Sequence, residues 1–164
     1  MAFRKMLYHG AIVAAFILAA IFAACYPRTA YFRFFSVNIN GWSRDSVLHY
    51  NVRAVKEKGF YVEEIGVRAN TDYPFQQLSL VVDQTVISTT REHGNIHLSD
   101  TMTINIYDQM GRVNGKGVNF KQMMVPLKNI PLEKDDSISM TIRHNMRRLD
   151  INGIADVGLR VTMQ

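Results

Sequence analysis

A period-two alternation of apolar and polar residues along most of the chain is the feature that most constrains the fold. Successive side chains of a β-strand point to opposite faces, so the alternation predicts strands with one buried and one solvated face. The alternation is clearest in the segments 48–53, 78–82, 102–107, 137–143 and 157–163. The segments 60–69 and 117–127 are less regular but rich in strand-forming residues. This pattern is typical of antiparallel sheets.

Turn-forming residues separate the predicted strands. They are Lys58-Gly59, Asp72-Tyr73-Pro74, His93-Gly94-Asn95, Asn114-Gly115 and Asn152-Gly153. Gly and Asn tolerate positive φ and Pro fixes φ, so these residues favour tight turns. The chain after the N-terminus has no useful stretch of 3.6-residue period. We therefore predict an all-β fold, a single antiparallel β-sandwich of about seven to nine strands with a jelly-roll-like arrangement, with a closed barrel as the alternative.

The N-terminal residues have the features of a lipoprotein export signal. Arg4 and Lys5 precede an uncharged apolar run over 11–24, which ends in small residues directly before Cys25. A membrane-spanning helix needs about 20 apolar residues, whereas a basic start, a short apolar centre and a small-residue end are typical of signal peptides. The segment Phe22-Ala23-Ala24-Cys25 resembles a bacterial lipobox, in which the cysteine is acylated and becomes the first residue. An uncleaved signal anchor is the alternative.

These features divide the chain into three predicted parts. Residues 1–24 are the cleaved signal peptide, residues 25–40 the lipidated N-terminus and tether, and residues 41–164 the β-sandwich domain. Cleavage lowers the formal net charge from +5 to +3, which is too small a surplus to indicate a nucleic-acid partner. Cys25 is the only cysteine, so a disulfide-built fold is excluded.

The residues after Cys25 predict where a lipoprotein of this kind is located. In bacteria with two membranes, lipoproteins whose cysteine is not followed by Asp usually reach the outer membrane, and Tyr26 follows here. No acidic cluster succeeds the cysteine, so the periplasmic face is favoured over surface display. This sorting rule is a resemblance to known lipoproteins. The membrane is thus an expected partner through the lipid anchor on Cys25, because two or more acyl chains give stable attachment.

Two groups of residues have the composition of ligand sites but lack the required context. His93, His97 and Asp100 are metal-ligand types, yet Gly94-Asn95 between the histidines indicates a turn, so no metal site is predicted. The glycines of 108–117 lack the Gly-Lys-Ser/Thr order and the following helix of a phosphate loop. We interpret them as hairpin glycines.

The sequence offers no arrangement typical of an enzyme. Glu63 and Glu64 are neighbours on a predicted strand, point to opposite faces and therefore cannot form an acid–base couple. Asp135-Asp136 would need several further oxygen ligands to hold calcium, and no Gly-x-Ser-x-Gly elbow is present. We therefore predict a protein without catalytic residues or a cofactor.

Several motifs occur in the order found in a known family. They are Trp42 with Asp45, the segment 67–74, the Asp108-x-x-Gly111-x-x-x-Gly115-x-Gly117 turn, Met146-Arg147 with Leu149, and the segment 153–160. On these residues, which span nearly all of the mature chain, the sequence resembles the gliding-motility lipoprotein H (GldH) family of Bacteroidetes. Val113 departs from the family, which often has tryptophan at that position.

The resemblance implies an outer-membrane lipoprotein associated with the gliding machinery and the coupled type IX secretion system. It supplies no catalytic residues. We expect such a protein to act by tethering, because a lipid anchor confines the domain near the membrane and raises its effective concentration for weak partners. The expected partners are cell-envelope proteins of that machinery.

The shared residues can be given ordinary structural roles. Trp42 is expected in the core, and Asn70 to Pro74 are expected to form a turn. Arg147 and Asp156 are expected to pair across the connection before the last strand. The candidates for a structural or docking role are Trp42, Asp45, Asn70, Asp72, Tyr73, Arg147 and Asp156.

A carbohydrate-binding module is the alternative function, since β-sandwiches often carry glycan sites. Such a site would need exposed aromatic residues on one face. Tyr61, Tyr73 and Tyr107 are the candidates. Fold alone does not choose between the two functions.

Overall fold

A computed structural model describes residues 28–88 and 94–164, and within these ranges the chain is all-β. The strands are β1 (Thr29–Ser36), β2 (Trp42–Ser43), β3 (Leu48–Val52), β4 (Gly59–Ala69), β5 (Gln77–Ile87), β6 (Ile96–Asn105), β7 (Lys121–Leu132), β8 (Ser137–His144), β9 (Asp150–Ile151) and β10 (Ile154–Met163). The predicted signal peptide, Cys25 and His93 lie outside the described residues. None of the described residues belongs to a helix capable of crossing a membrane.

The eight long strands form two antiparallel sheets that pack face to face. The first sheet has the order β1-β10-β4-β7 and the second the order β3-β8-β5-β6, while β2 and β9 form a small extra pair. Two four-stranded sheets connected in this order are a jelly roll. The predicted all-β antiparallel sandwich is therefore confirmed, and the sheets do not close into a barrel.

The core consists of alternate residues from both sheets. In β5 and β10 the apolar residues that face inward are completely buried: Leu78, Leu80, Val82, Val157, Leu159 and Val161. A polar bond also links the sheets, because the buried Tyr50 hydroxyl of β3 donates to the Val157 carbonyl of β10 at 2.8 Å. Burial raises the pKa of Tyr50, so its hydroxyl remains protonated and can donate.

The sandwich begins earlier than the sequence predicts. A tether was expected over 25–40, but Thr29–Ser36 within that range forms β1, the edge strand that pairs with β10. Tyr31 and Phe35 of β1 pack against the core, which explains why an aromatic segment is not a linker. The strand β1 therefore begins four residues after Cys25 in the sequence.

We call the end of the sandwich at which β1 begins the entry pole. It contains Arg28–Ala30, the loop 53–58 and the turn 133–136, together with the C-terminal ends of β5 and β10. The loop and the turn are joined by main-chain hydrogen bonds, since Val55 donates to the Asp136 carbonyl at 2.8 Å and accepts from the Asp135 N–H at 2.9 Å.

We call the opposite end the loop platform. It contains the connections 70–76, 106–120 and 145–153, which join β4 to β5, β6 to β7, and β8 to β10. A ten-residue strand spans about 33 Å, so the two ends of the sandwich are separated by roughly that distance. Every motif on which the family resemblance rests has residues at the loop platform or directly beneath it.

Candidate functional site

The loop platform is assembled around Tyr73. Its side chain is 1% exposed, and its hydroxyl donates to the Gln77 carbonyl at 2.8 Å. The Tyr107 hydroxyl donates to the Tyr73 carbonyl at 2.8 Å. Gly153 approaches so closely that a Cβ atom on it would lie 2.1 Å from the Tyr73 nitrogen. Tyr73 therefore joins the three connections of the platform into one surface.

The turn at Asn70 is closed by its own polar side chains. The Asn70 Oδ1 atom accepts from the Asp72 N–H at 3.1 Å, and its Nδ2 atom donates to the Asp72 carboxylate at 2.7 Å. The Asn70 N–H donates to the Gly153 carbonyl at 3.0 Å. This is an Asx turn. Both polar side chains are thus engaged within the platform itself.

Trp42 lies beneath the platform and is buried, so it is not part of the exposed surface. Its ring meets the ring of His144 edge-on, with centroids 5.0 Å apart. His144 Nε2 donates to the Trp42 carbonyl at 3.0 Å, and its Nδ1 accepts from the Met146 N–H at 3.3 Å. Burial lowers the pKa of His144, which agrees with a neutral ring in this tautomer. Asp45, by contrast, is exposed in the turn after β2.

The predicted pairing of Arg147 with Asp156 is wrong. Asp156 accepts from the Ser36 hydroxyl at 2.7 Å and pairs with Arg68 at 3.4 Å. The strand register explains these contacts, because Asp156 of β10 lies opposite Ser36 of β1 on one side and Arg68 of β4 on the other. Arg147 lies in the exposed turn between β8 and β9, without an ion pair in the part of the chain that the structure describes.

Sequence reasoning missed an aromatic contact beside Asp156. The ring of Phe34 lies across Gly66 of β4 and Gly158 of β10. A Cβ atom would lie 2.5 Å from the ring if it were added to Gly66, and 2.7 Å from the ring if it were added to Gly158. The Arg68 guanidinium lies 4.3 Å from the centroid of the same ring. A glycine within a strand marks a close approach. Gly66 and Gly158 are therefore the sequence features that could have predicted this contact.

The exposed side of the loop platform is apolar and basic. Its exposed apolar side chains are Met110, Val118, Phe120 and Leu149. Its cationic residues are Arg112, Lys116, Arg147 and Arg148, and Lys121 follows at the start of β7. A cavity of about 420 Å³ lies at the other end of the molecule, whereas the platform has a broader one of about 640 Å³ between the Asn70 turn and the 108–121 connection. Exposed apolar side chains among polar residues are typical of protein docking surfaces.

A buried polar cluster between the two sheets was also missed. Glu63 of β4 is completely buried and accepts from Gln84 Nε2 of β5 at 3.0 Å. Lys128 of β7 lies opposite Glu63 and forms an ion pair with Asp100 of β6. Burial raises the pKa of Glu63 to about 7, against the lowering effects of the Gln84 hydrogen bond and of Lys128. Glu64 faces the other way and binds Arg160 at 2.6 Å.

Of the residues considered for a metal, the two that the structure describes, His97 and Asp100, do not converge. His97 faces outward and its Nδ1 atom lies 2.8 Å from the Thr85 hydroxyl, whereas Asp100 lies opposite Val82 on the inner side and pairs with Lys128. Among the residues that the structure describes, no three His, Cys, Asp or Glu side chains are placed to hold a metal ion.

The tyrosines considered for a glycan site do not form an exposed aromatic surface. Tyr61 and Tyr73 are buried, and Tyr107 is partly buried. Their hydroxyls donate to main-chain carbonyls, for Tyr61 that of Glu57 at 2.8 Å. The expectation of a carbohydrate surface built on these three residues is therefore wrong.

Fold and site together define a jelly-roll β-sandwich that displays a loop surface at the end opposite the start of its N-terminal strand. A profile described as "GldH lipoprotein" matches residues 29–161. The chain therefore belongs to the GldH lipoprotein family, as the resemblance implied. No curated protein matches the sequence significantly.

Solved structures with a related arrangement are remote. The infectious bursal disease virus Gx strain structure matches with 14% identity and a TM-score of 0.35, covering 85% of this chain but 31% of the viral chain. Eiger TNF from S. frugiperda matches with 13% identity and a TM-score of 0.33, over 84% of this chain and 94% of the other. A family 35 carbohydrate binding module from Clostridium thermocellum matches with 12% identity and a TM-score of 0.35, over 83% and 95%. Such low similarity carries no functional argument.

Proposed function

We propose that this member of the GldH lipoprotein family is a non-catalytic outer-membrane lipoprotein on the periplasmic face, acylated at Cys25. In this proposal it is an accessory component of the gliding and type IX secretion apparatus. It tethers through its lipid and docks to envelope proteins through the loop platform. Family membership supports the lipoprotein assignment and the association with gliding motility.

The observation that carries the proposal is the position of the loop platform relative to the N-terminus. β1 begins four residues after Cys25, so an anchor there keeps the entry pole within about 14 Å of the modified cysteine. The loop platform is at the other end of the strands. An acyl anchor would therefore present the platform, with its exposed apolar residues, away from the membrane and toward proteins.

Acylation of Cys25 is tested by metabolic labelling. Labelled palmitate should enter the wild-type protein and be lost in Cys25→Ala, because only a thiol can carry the thioether-linked lipid. Thr101→Ala on the exposed face of β6 is a suitable control, since that side chain lies far from Cys25 in sequence and is exposed. Equal labelling of the wild type and Cys25→Ala would contradict lipidation.

Docking by the loop platform is tested by cross-linking in the native envelope with identification by mass spectrometry. A double variant, Val118→Glu with Leu149→Glu, should reduce the yield of cross-linked envelope partners roughly tenfold, which corresponds to a loss of about 1.4 kcal/mol. Both side chains are highly exposed, so the variant should fold normally. Thr101→Glu on exposed β6 is the control for added negative charge.

Two results would count against this docking proposal. Equal cross-linking yields for the double variant and for Thr101→Glu would remove the platform as the docking surface. Recovery of no motility or secretion component with the wild type would contradict the proposed partners.

A further inference from the structure

The entry pole contains a pocket that the proposed docking does not use. Its volume is about 420 Å³. Its apolar wall is formed by Ala30, Ala54, Val55, Tyr61 and Met163. Its polar lining includes Arg28, Arg53, Lys56 and Glu57. A ligand for this pocket would combine an anionic group with an adjoining apolar part.

Two of the three cations in the pocket are available to a ligand. Arg28 is engaged in an ion pair with Glu57. Arg53 and Lys56 are exposed, and their side chains make no ion pair or hydrogen bond within residues 28–88 and 94–164. An unpaired guanidinium beside an ammonium group is suited to a phosphate group, because Arg binds phosphate oxygens in a bidentate manner and Lys adds a point charge.

The same pole also exposes apolar side chains. The exposed fraction is 61% for Phe60, 40% for Ile87 and 39% for Ile96. Ile87 lies opposite Ser137 at the turn that contacts Val55, which places it at this end of the sandwich. Exposed apolar residues beside cations are typical of surfaces that lie in the headgroup region of a bilayer.

The length of chain before β1 brings this pole to the membrane, a step that rests on the proposed acylation of Cys25. The chain between Cys25 and Thr29 spans at most about 14 Å when fully extended. A lipidated cysteine is at the bilayer surface. The pocket, to which Arg28 and Thr29 contribute, is therefore within reach of the lipid headgroups.

We propose that the pocket binds the phosphate group of an anionic membrane lipid and that the entry pole lies against the headgroups. Arg53 and Lys56 contact the phosphate, and Phe60 enters the headgroup region. A lipid is favoured over free phosphate because the pocket has an apolar wall and the same end of the sandwich exposes apolar side chains. The platform then points away from the leaflet in a fixed orientation.

The test uses the acylated protein purified from its envelope and reconstituted into vesicles. The vesicles are of phosphatidylcholine alone or of phosphatidylcholine with phosphatidylglycerol. Amine-reactive labelling, read by mass spectrometry, should modify Lys56 several-fold more slowly in the anionic vesicles, while Lys116 of the loop platform reacts equally in both. In the anionic vesicles, Arg53→Gln should raise the rate at which Lys56 is modified about fivefold, because the contribution of one cation near an anionic surface is lost.

Three results would overturn the proposal. Equal Lys56 rates in both kinds of vesicle, with the protein still floating with them, would remove lipid binding at the pocket and leave the acyl anchor intact. A protein that floats with neither kind of vesicle would contradict both the acyl anchor and the binding of lipid at the pocket. Slowing of the Lys56 reaction by inorganic phosphate alone, without anionic vesicles, would assign the pocket to free phosphate.

Discussion

Glu63→Gln should stabilise the protein at pH 8 by up to about 3 kcal/mol and leave its stability at pH 4 nearly unchanged. The folded-state pKa of Glu63 is raised from 4.5 to about 7 by burial. Its carboxyl group therefore holds a proton more tightly in the folded than in the unfolded chain. Between these two pKa values the wild type loses stability as pH rises, and above about pH 7 the loss is complete.

The hydrogen bonding of Glu63 also predicts that Glu63→Gln stabilises the folded protein at pH 8. Glu63 Oε1 and Gln84 Oε1 are both buried and have no hydrogen-bond partner within the described residues. A glutamine at position 63 can still accept from Gln84 Nε2 and adds a donor to a site that has two orphaned acceptors. It also removes the cost of burying a charge at high pH.

Urea unfolding of the wild type and of Glu63→Gln at pH 4 and pH 8 measures the effect. Glu64→Gln is the matched control, because the adjacent carboxylate faces outward and binds Arg160. This control should gain no stability at pH 8. An equal gain for Glu63→Gln at both pH values, or a loss at pH 8, would show that Glu63 does not carry a buried charge in the folded protein.

Gly153→Ala should destabilise the protein by about 2–5 kcal/mol, the sum expected for a left-handed backbone without glycine and for overpacking. Gly153 has a φ of +81°, and a Cβ atom there would meet the main chain of Tyr73. The glycine cannot move away easily, because its N–H donates to the Ile39 carbonyl and its carbonyl accepts from the Asn70 N–H.

Gly111→Ala isolates the backbone contribution. Gly111 has a similar φ of +74°, but nothing lies within 4 Å of the position a Cβ atom would take. This variant should cost only about 1–2 kcal/mol. Unfolding of both variants by heat or urea gives the comparison. Equal costs at the two positions would mean that the contact between Gly153 and Tyr73 does not hold the platform together.

Most of the sandwich could be predicted because most strands bury one face only. β5 and β8 follow the expected alternation along their whole length. β1 could not be recognised in this way, because aromatic residues occupy both of its faces. Phe35 packs toward the core, and Phe34 covers glycines of β4 and β10 on the outer side. That second contact depends on residues more than thirty positions away in sequence.

The site was less predictable because its contacts depend on which strands become neighbours. Asp156 was expected to bind Arg147, which is close in sequence, but the register of the sheet places it between Ser36 and Arg68. The tyrosines were candidates for an exposed glycan site, yet main-chain carbonyls nearby satisfy the hydroxyls of Tyr61 and Tyr73 and allow both side chains to be buried. Exposure within an irregular connection, as for Val118, has no periodic signal in the sequence.

The pairing of β1 has a mechanical consequence. Among the residues that the structure describes, this strand pairs within the sheet only with β10, over seven matched positions, and its first residue is the one nearest Cys25 in sequence. A pull between a membrane-held N-terminus and a partner on the loop platform would run along the strands. The main-chain bonds between β1 and β10 would then resist together, in shear, instead of opening one after another as they do when a strand is peeled from its end. In the proposed arrangement, the jelly roll would transmit force between the membrane anchor and the docked partner along its strands.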